Sequence, residues 1–152
     1  MSRVLALDYG ERRIGVAITD STRTIASPLT TLVRRAGKRP PWAEIARLVE
    51  EHEVGELVVG LPLDLGGNES EWTAEVRGFG DDLARRTGLP VHWVDERLSS
   101  VEAERVIRGM GLKRSRREEK GRIDAMAAAL ILRGFLTERD ERHRDTEGCG
   151  AD

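Results

Sequence analysis

The feature that most limits how this chain folds is a change of hydrophobic period. Short apolar runs of strand length come first, and later ones take turns with segments of helical spacing. Val4 to Leu7 is a continuous apolar run that stops at Asp8, and Ile14, Val16 and Ile18 alternate beyond the turn Tyr9-Gly10-Glu11-Arg12, which reads as a hairpin. A third extended stretch runs from Ile25 to Val33, where Pro28 argues for an edge position or an interruption. Trp42, Ile45, Leu48 and Val49 recur at helical spacing, with Pro41 suited to the first turn, and Leu57 to Val59 is a short buried strand. Trp72, Val76, Phe79 and Leu83 mark a helix that crosses Gly78 and Gly80 and ends near Gly88, and Val91 to Val94 is the next strand. Ser99 and Glu102 form a capping box for a helix through Ala103, Val106, Ile107 and Met110. A last helix presents Ile123, Ala127, Leu130, Ile131 and Phe135. This order predicts an α/β fold with a mixed sheet, three antiparallel strands and then parallel strands, flanked by helices. The ends of the later strands should open on one edge, where ligands of such sheets bind.

A chain of 152 residues matches one domain, expected over 1–138, followed by a disordered polar tail over 139–152. The longest apolar run, Ala125 to Leu132, is far short of the roughly 20 residues that span a membrane, and no signal peptide is read ahead of the first strand. The expectation is a cytoplasmic protein with no membrane contact. The only cysteine, Cys149, falls in the tail, which excludes an intramolecular disulfide and a thiolate metal site. The net charge of −2 is unpromising for a nucleic-acid protein, but placement matters more than the sum. Acids gather in the tail, from Glu138 to Asp152. Basic residues gather at Arg34, Arg35, Lys38 and Arg39, and again from Arg108 through Lys113, Arg114, Arg116, Arg117 and Lys120 to Arg122. Trp42, Trp72 and Trp93 fall at positions suited to core packing rather than to stacking on bases.

Acids at three places are the candidates for the chemistry. Asp8 follows the first apolar strand directly, and Asp95 and Glu96 follow Val91 to Val94, so their carboxylates converge if those strands run parallel. Counting about 100° per residue from Ile123, Asp124 falls at about 100°, between Ile131 at about 80° and Phe135 at about 120°, inside the apolar stripe of the last helix. A carboxylate pressed toward a core costs several kcal/mol unless a positive charge compensates it, and that charge is either an arginine or a metal. Acids from separate elements suit a hard, hydrated Mg²⁺ or Mn²⁺. His52, His92 and His143 are scattered and give zinc little support. Ser99 and Ser100 have no adjacent histidine to activate them and read as helix caps.

Four blocks together resemble a known family: Asp8-Tyr9-Gly10 with Arg13-Ile14-Gly15-Val16-Ala17; Val58-Val59-Gly60-Leu61-Pro62 with Gly67 and Ser70; Val94-Asp95-Glu96-Arg97-Leu98-Ser99; and Ile123-Asp124 with Ala127-Ala128. In this order, over about residues 3 to 136, they resemble the YqgF family, also called RuvX. The resemblance implies a ribonuclease-H-like fold related to the junction resolvase RuvC, with catalytic, metal-holding acids at Asp8, Glu96 and Asp124. Glu96 rather than Asp95 is assigned by that resemblance alone. It also implies a metal-dependent endonuclease that processes the 5′ side of pre-16S rRNA. The alternatives are a Holliday junction resolvase, which needs a homodimer where RNA trimming needs only a monomer, and a weakly catalytic nucleic-acid-binding module in transcription. Structured RNA is the favoured partner and branched DNA the rival. Arg12, Arg13, Arg97, Lys113 and Lys120 are expected to track the phosphate backbone. Asp8-Tyr9-Gly10 also resembles the phosphate loop of actin-like ATPases, which clamp a nucleotide between two such domains where this chain has room for one.

Overall fold

The computed structural model describes residues 2–34, 39–64, 66–95 and 116–149, with side chains on the last helix described for 123–139. The elements are β1 (Arg3–Tyr9), β2 (Arg13–Thr19), β3 (Ala26–Val33), α1 (Trp42–Glu51), β4 (Val54–Leu61), α2 (Glu71–Thr87), β5 (Val91–Asp95) and α3 (Arg116–Cys149). They build one five-stranded sheet in the order β3-β2-β1-β4-β5. β1 pairs with β2, and β2 with β3, in antiparallel fashion, while β1 pairs with β4, and β4 with β5, in parallel. The mixed sheet expected from the order of periodicities is the one observed. Pro28 lies on the edge strand β3, beside a register shift at Val16/Ala17, so both expectations for it hold.

Alternation along the strands divides the interior into two cores. Leu5, Leu7, Ile14, Val16, Leu57 and Val59 point to one face and pack under Ile45 and Leu48 of α1 and Val76, Phe79 and Leu83 of α2. Val4, Ala6, Ala17 and Val58 point to the other, beneath Ala128, Ala129, Ile131 and Leu132 of α3. Small alanines on both sides of this second core let the helix lie close to the sheet. The three tryptophans belong to the first core: Trp42 and Trp72 stack against Phe79 and Tyr9, and Trp93 packs beneath Gly80.

Several boundaries differ from expectation. β4 begins at Val54, ahead of the apolar triplet, because Glu56 is accommodated by cations rather than left to solvent. α2 is capped by Ser70, whose side chain accepts from the Thr73 amide while Thr73 caps in return, and Gly88 closes the helix in the left-handed region at φ 70°. The buried face of α3 includes Ala125, Ala128 and Leu136, whereas Ile123 is exposed. The tail expected from 139 is helical to Cys149, so the boundary drawn at 138 falls inside α3; Arg139 anchors that point with two hydrogen bonds to Glu56, 2.7 and 2.8 Å. The helix expected after Ser99 lies outside the described residues. No helix among the described residues is long and apolar enough to cross a membrane.

Candidate active site

Asp8 is the next residue on the strand face that carries Val4 and Ala6, so the pleat directs it toward α3. Its partner across the β1–β2 ladder is Gly15. A Cβ built on Gly15 would overlap the carbonyl oxygen of Asp124, which means that the backbone of α3 rests directly on this glycine. Asp124 heads the stripe Ala128, Ile131 and Phe135 that packs on the second core. The backbone of Asp124, far along the chain, therefore lies against the strand position opposite Asp8.

The charge that compensates Asp124 is Arg13. Its Nε donates to Asp124 Oδ2 at 2.6 Å, with the two side chains 31% and 25% exposed. Of the two possibilities left open, arginine or metal, the structure shows the arginine. Arg12, next to it, is exposed.

The other two walls of the edge come from β4 and β5, where Gly60 pairs with Val94 and Leu61 with Asp95. Val94 packs with the α3 core and Trp93 with the α2 core, so alternation assigns Asp95 to the face opposite Asp8. Glu96, Arg97 and Lys113 lie outside the described residues, and Lys120 lies in the part of α3 whose side chains are not described. Among the described residues no group of three acids, histidines or cysteines is close enough to hold a metal. The pair that is described, two partly exposed carboxylates from separate elements without sulfur or imidazole, is the donor set that a hard divalent cation takes.

Sequence reasoning missed two supports of this edge. Arg34, grouped with a basic loop, lies with its guanidinium 4.5 Å from the centroid of the Tyr9 ring and donates to the Gly10 carbonyl at 3.1 Å, while its amide donates to the Arg12 carbonyl at 2.8 Å. It braces the turn between Asp8 and Arg13. Burial raises the Tyr9 pKa, so the phenol stays neutral beneath that cation. The second support is Thr73, fully buried, whose hydroxyl donates to the Pro62 carbonyl at 2.6 Å and ties the turn after β4 to α2. Neither signal is readable from spacing, since each joins separate elements across a turn or loop.

At the opposite end of the α3 face, Glu56 receives Arg139 through both oxygens and Arg23 at 2.8 Å. The Arg139 hydrogen bonds lead in lowering its pKa to about 2. This second bridge between α3 and the sheet pairs a largely buried acid, Glu56 at 14% exposed, with a more open Arg139 at 37%.

A family model described as "RuvX: Holliday junction resolvase" matches residues 2–138. A protein of Anaeromyxobacter sp. (strain Fw109-5) named "Putative pre-16S rRNA nuclease" is 47% identical over 141 residues, 93% of this chain and 98% of its own length. A Chloroflexus aurantiacus protein of the same name is 46% identical over 136 residues, 90% of this chain and 87% of its own. Among solved structures, Thermus thermophilus RuvC has a TM-score of 0.55 at 17% identity, and its complex with a Holliday junction substrate 0.53 at 18%, the latter covering 91% of this chain and 96% of that one. At that identity the likeness shows a shared ribonuclease-H-like fold.

Proposed function

The chain belongs to the RuvX family and is a nuclease, and from that premise we propose that Asp8, Glu96 and Asp124 are its catalytic acids, that they hold Mg²⁺ or Mn²⁺, and that its substrate is the 5′ side of pre-16S rRNA. The observation that supports the reading is the seating of the Asp124 backbone on Gly15, the ladder partner of Asp8. Bound there, divalent cations supply the Lewis acidity that phosphodiester hydrolysis needs, activating water and stabilising the leaving oxygen. Asp8 and Asp124 contribute oxygen ligands from a strand and a helix whose positions are fixed by packing, and Glu96 is the next residue in sequence after β5. Arg12, Arg13, Arg97, Lys113 and Lys120 hold the phosphate backbone. The rRNA substrate comes from the names of the relatives, and a cytoplasmic site of action follows from it.

The description of the family favours a second reading, a Holliday junction resolvase, which would require a homodimer with two symmetric sites. Incubating the protein with precursor rRNA leader and with a four-way junction, in Mg²⁺ and in Mn²⁺, separates the two. The proposal expects cleavage of the leader by a monomer, abolished by Asp8→Asn and Asp124→Asn. Paired, symmetric nicks in the junction with the leader left intact would favour the second reading, and products shared by wild type and both variants would discard the acids as the site.

A further inference from the structure

α3 is joined to the sheet by two arginine–carboxylate pairs of contrasting build. Arg139 grips Glu56 through both terminal nitrogens, with Arg23 as a second cation, the side chains of Arg139 and Glu56 being 37% and 14% exposed. Arg13 reaches Asp124 by the single Nε contact at 2.6 Å, with 31% and 25% of the two side chains open to solvent. The first is a bidentate pair whose carboxylate also takes a second cation. The second is the easier to exchange, because a single contact holds it and solvent reaches both partners. Releasing it does not require the helix to move, since the Asp124 backbone is held by Gly15 and by the stripe Ala128–Ile131 beneath it.

We infer that Arg13 is an exchangeable counter-ion of the catalytic edge: it neutralises Asp124 while the carboxylate has no divalent cation, and passes to the phosphate backbone of the nucleic acid when a cation takes its place. The inference rests on the reading of Asp8 and Asp124 as metal ligands. It explains why a cation lies against an acid needed for metal binding: the same guanidinium that lowers the cost of the half-buried carboxylate when no cation is bound is delivered, at the start of β2 beside exposed Arg12, to the surface where phosphates arrive. Binding of metal and of nucleic acid are thereby linked, because a cation on Asp124 frees a phosphate contact, and a phosphate on Arg13 frees a ligand.

The test follows the Nε–H resonance of Arg13 in the full chain, assigned by its loss in Arg13→Lys, through a Mg²⁺ titration monitored in parallel by calorimetry. The expected result is that the Arg13 signal shifts and begins to exchange with water along the calorimetric binding curve, while the Arg139 guanidinium signals stay fixed. Arg13→Gln should tighten Mg²⁺ binding about three- to tenfold, as loss of a competing ion pair of this exposure predicts. It should also weaken RNA binding and reduce the salt slope of log affinity by about one. Mg²⁺ binding that leaves the Arg13 signal unmoved would show a purely structural pair and overturn the inference with the metal reading intact. Failure of the wild-type chain to bind Mg²⁺, or equal binding by Asp124→Asn, would overturn both.

Discussion

Gly15 stands opposite Asp8 in the β1–β2 ladder and beneath the Asp124 carbonyl of α3, so one residue without a side chain sets how closely the Asp124 backbone approaches the strand beside Asp8. A strand glycine weakens a sheet, and it is kept where another backbone must come close. Here the approaching backbone carries a candidate catalytic residue.

Gly15→Ala should therefore damage the site more than its small size suggests. The added methyl meets backbone, which cannot rotate away, so α3 must lift from the sheet at its active end. We expect a loss of about 1–3 kcal/mol in urea unfolding, the usual cost of overpacking, together with loss of cleavage. Native stability and full activity in this variant would show that the contact does not set the position of Asp124.

Glu56 predicts an acid limb of stability. Its folded pKa, about 2, lies below the ordinary value of 4.5, so the carboxylate stabilises the fold above about pH 4.5, and that contribution fades as pH falls from 4.5 toward 2. Glu56→Gln should lower stability near neutrality by about 2 kcal/mol, with the gap to wild type closing through the same window. Arg139→Gln should reproduce much of the effect, because the Arg139 hydrogen bonds are the leading cause of the shift. Unfolding free energies measured from pH 7 to pH 2 check both, and a gap independent of pH would count against the account.

Thr73 offers a test of the turn after β4. Thr73→Val keeps the shape but removes the donor to the Pro62 carbonyl and the acceptor for the Ser70 amide. The expected cost is about 1–3 kcal/mol in denaturant unfolding, against about 1 kcal/mol for Ser70→Ala, which removes only a cap. Equal costs would mean that the Pro62 contact contributes little.

What was legible in the sequence was whatever local periodicity encodes. The β1–β2 hairpin, the edge position of Pro28 and the placement of Asp124 in an apolar stripe follow from spacing along single elements. The identity of the charge beside Asp124 does not, because Arg13 is more than one hundred residues away, |i−j| = 111. Glu56 was unreadable for the same reason: an acid ahead of Leu57 looks like a strand end until Arg23 and Arg139 arrive from distant elements. Arg34 reads as part of a basic loop because its neighbours in sequence are basic, whereas its neighbour in space is the ring of Tyr9. The last helix continues past Glu138, where the polar composition offers no apolar stripe and Arg139 reaches Glu56. Strand parity, once the register is known, separates Asp95 from the face of Asp8, a distinction the sequence left to family resemblance.

The central claim is that Asp8 and Asp124 jointly hold a divalent cation, and calorimetric titration of Mn²⁺ into the wild-type chain, Asp8→Asn and Asp124→Asn tests it most directly. Each variant keeps its volume and should keep its circular-dichroism spectrum. The account predicts that either substitution weakens Mn²⁺ binding by about tenfold or more, since each removes a charged oxygen ligand. Unchanged affinity in either folded variant would contradict it.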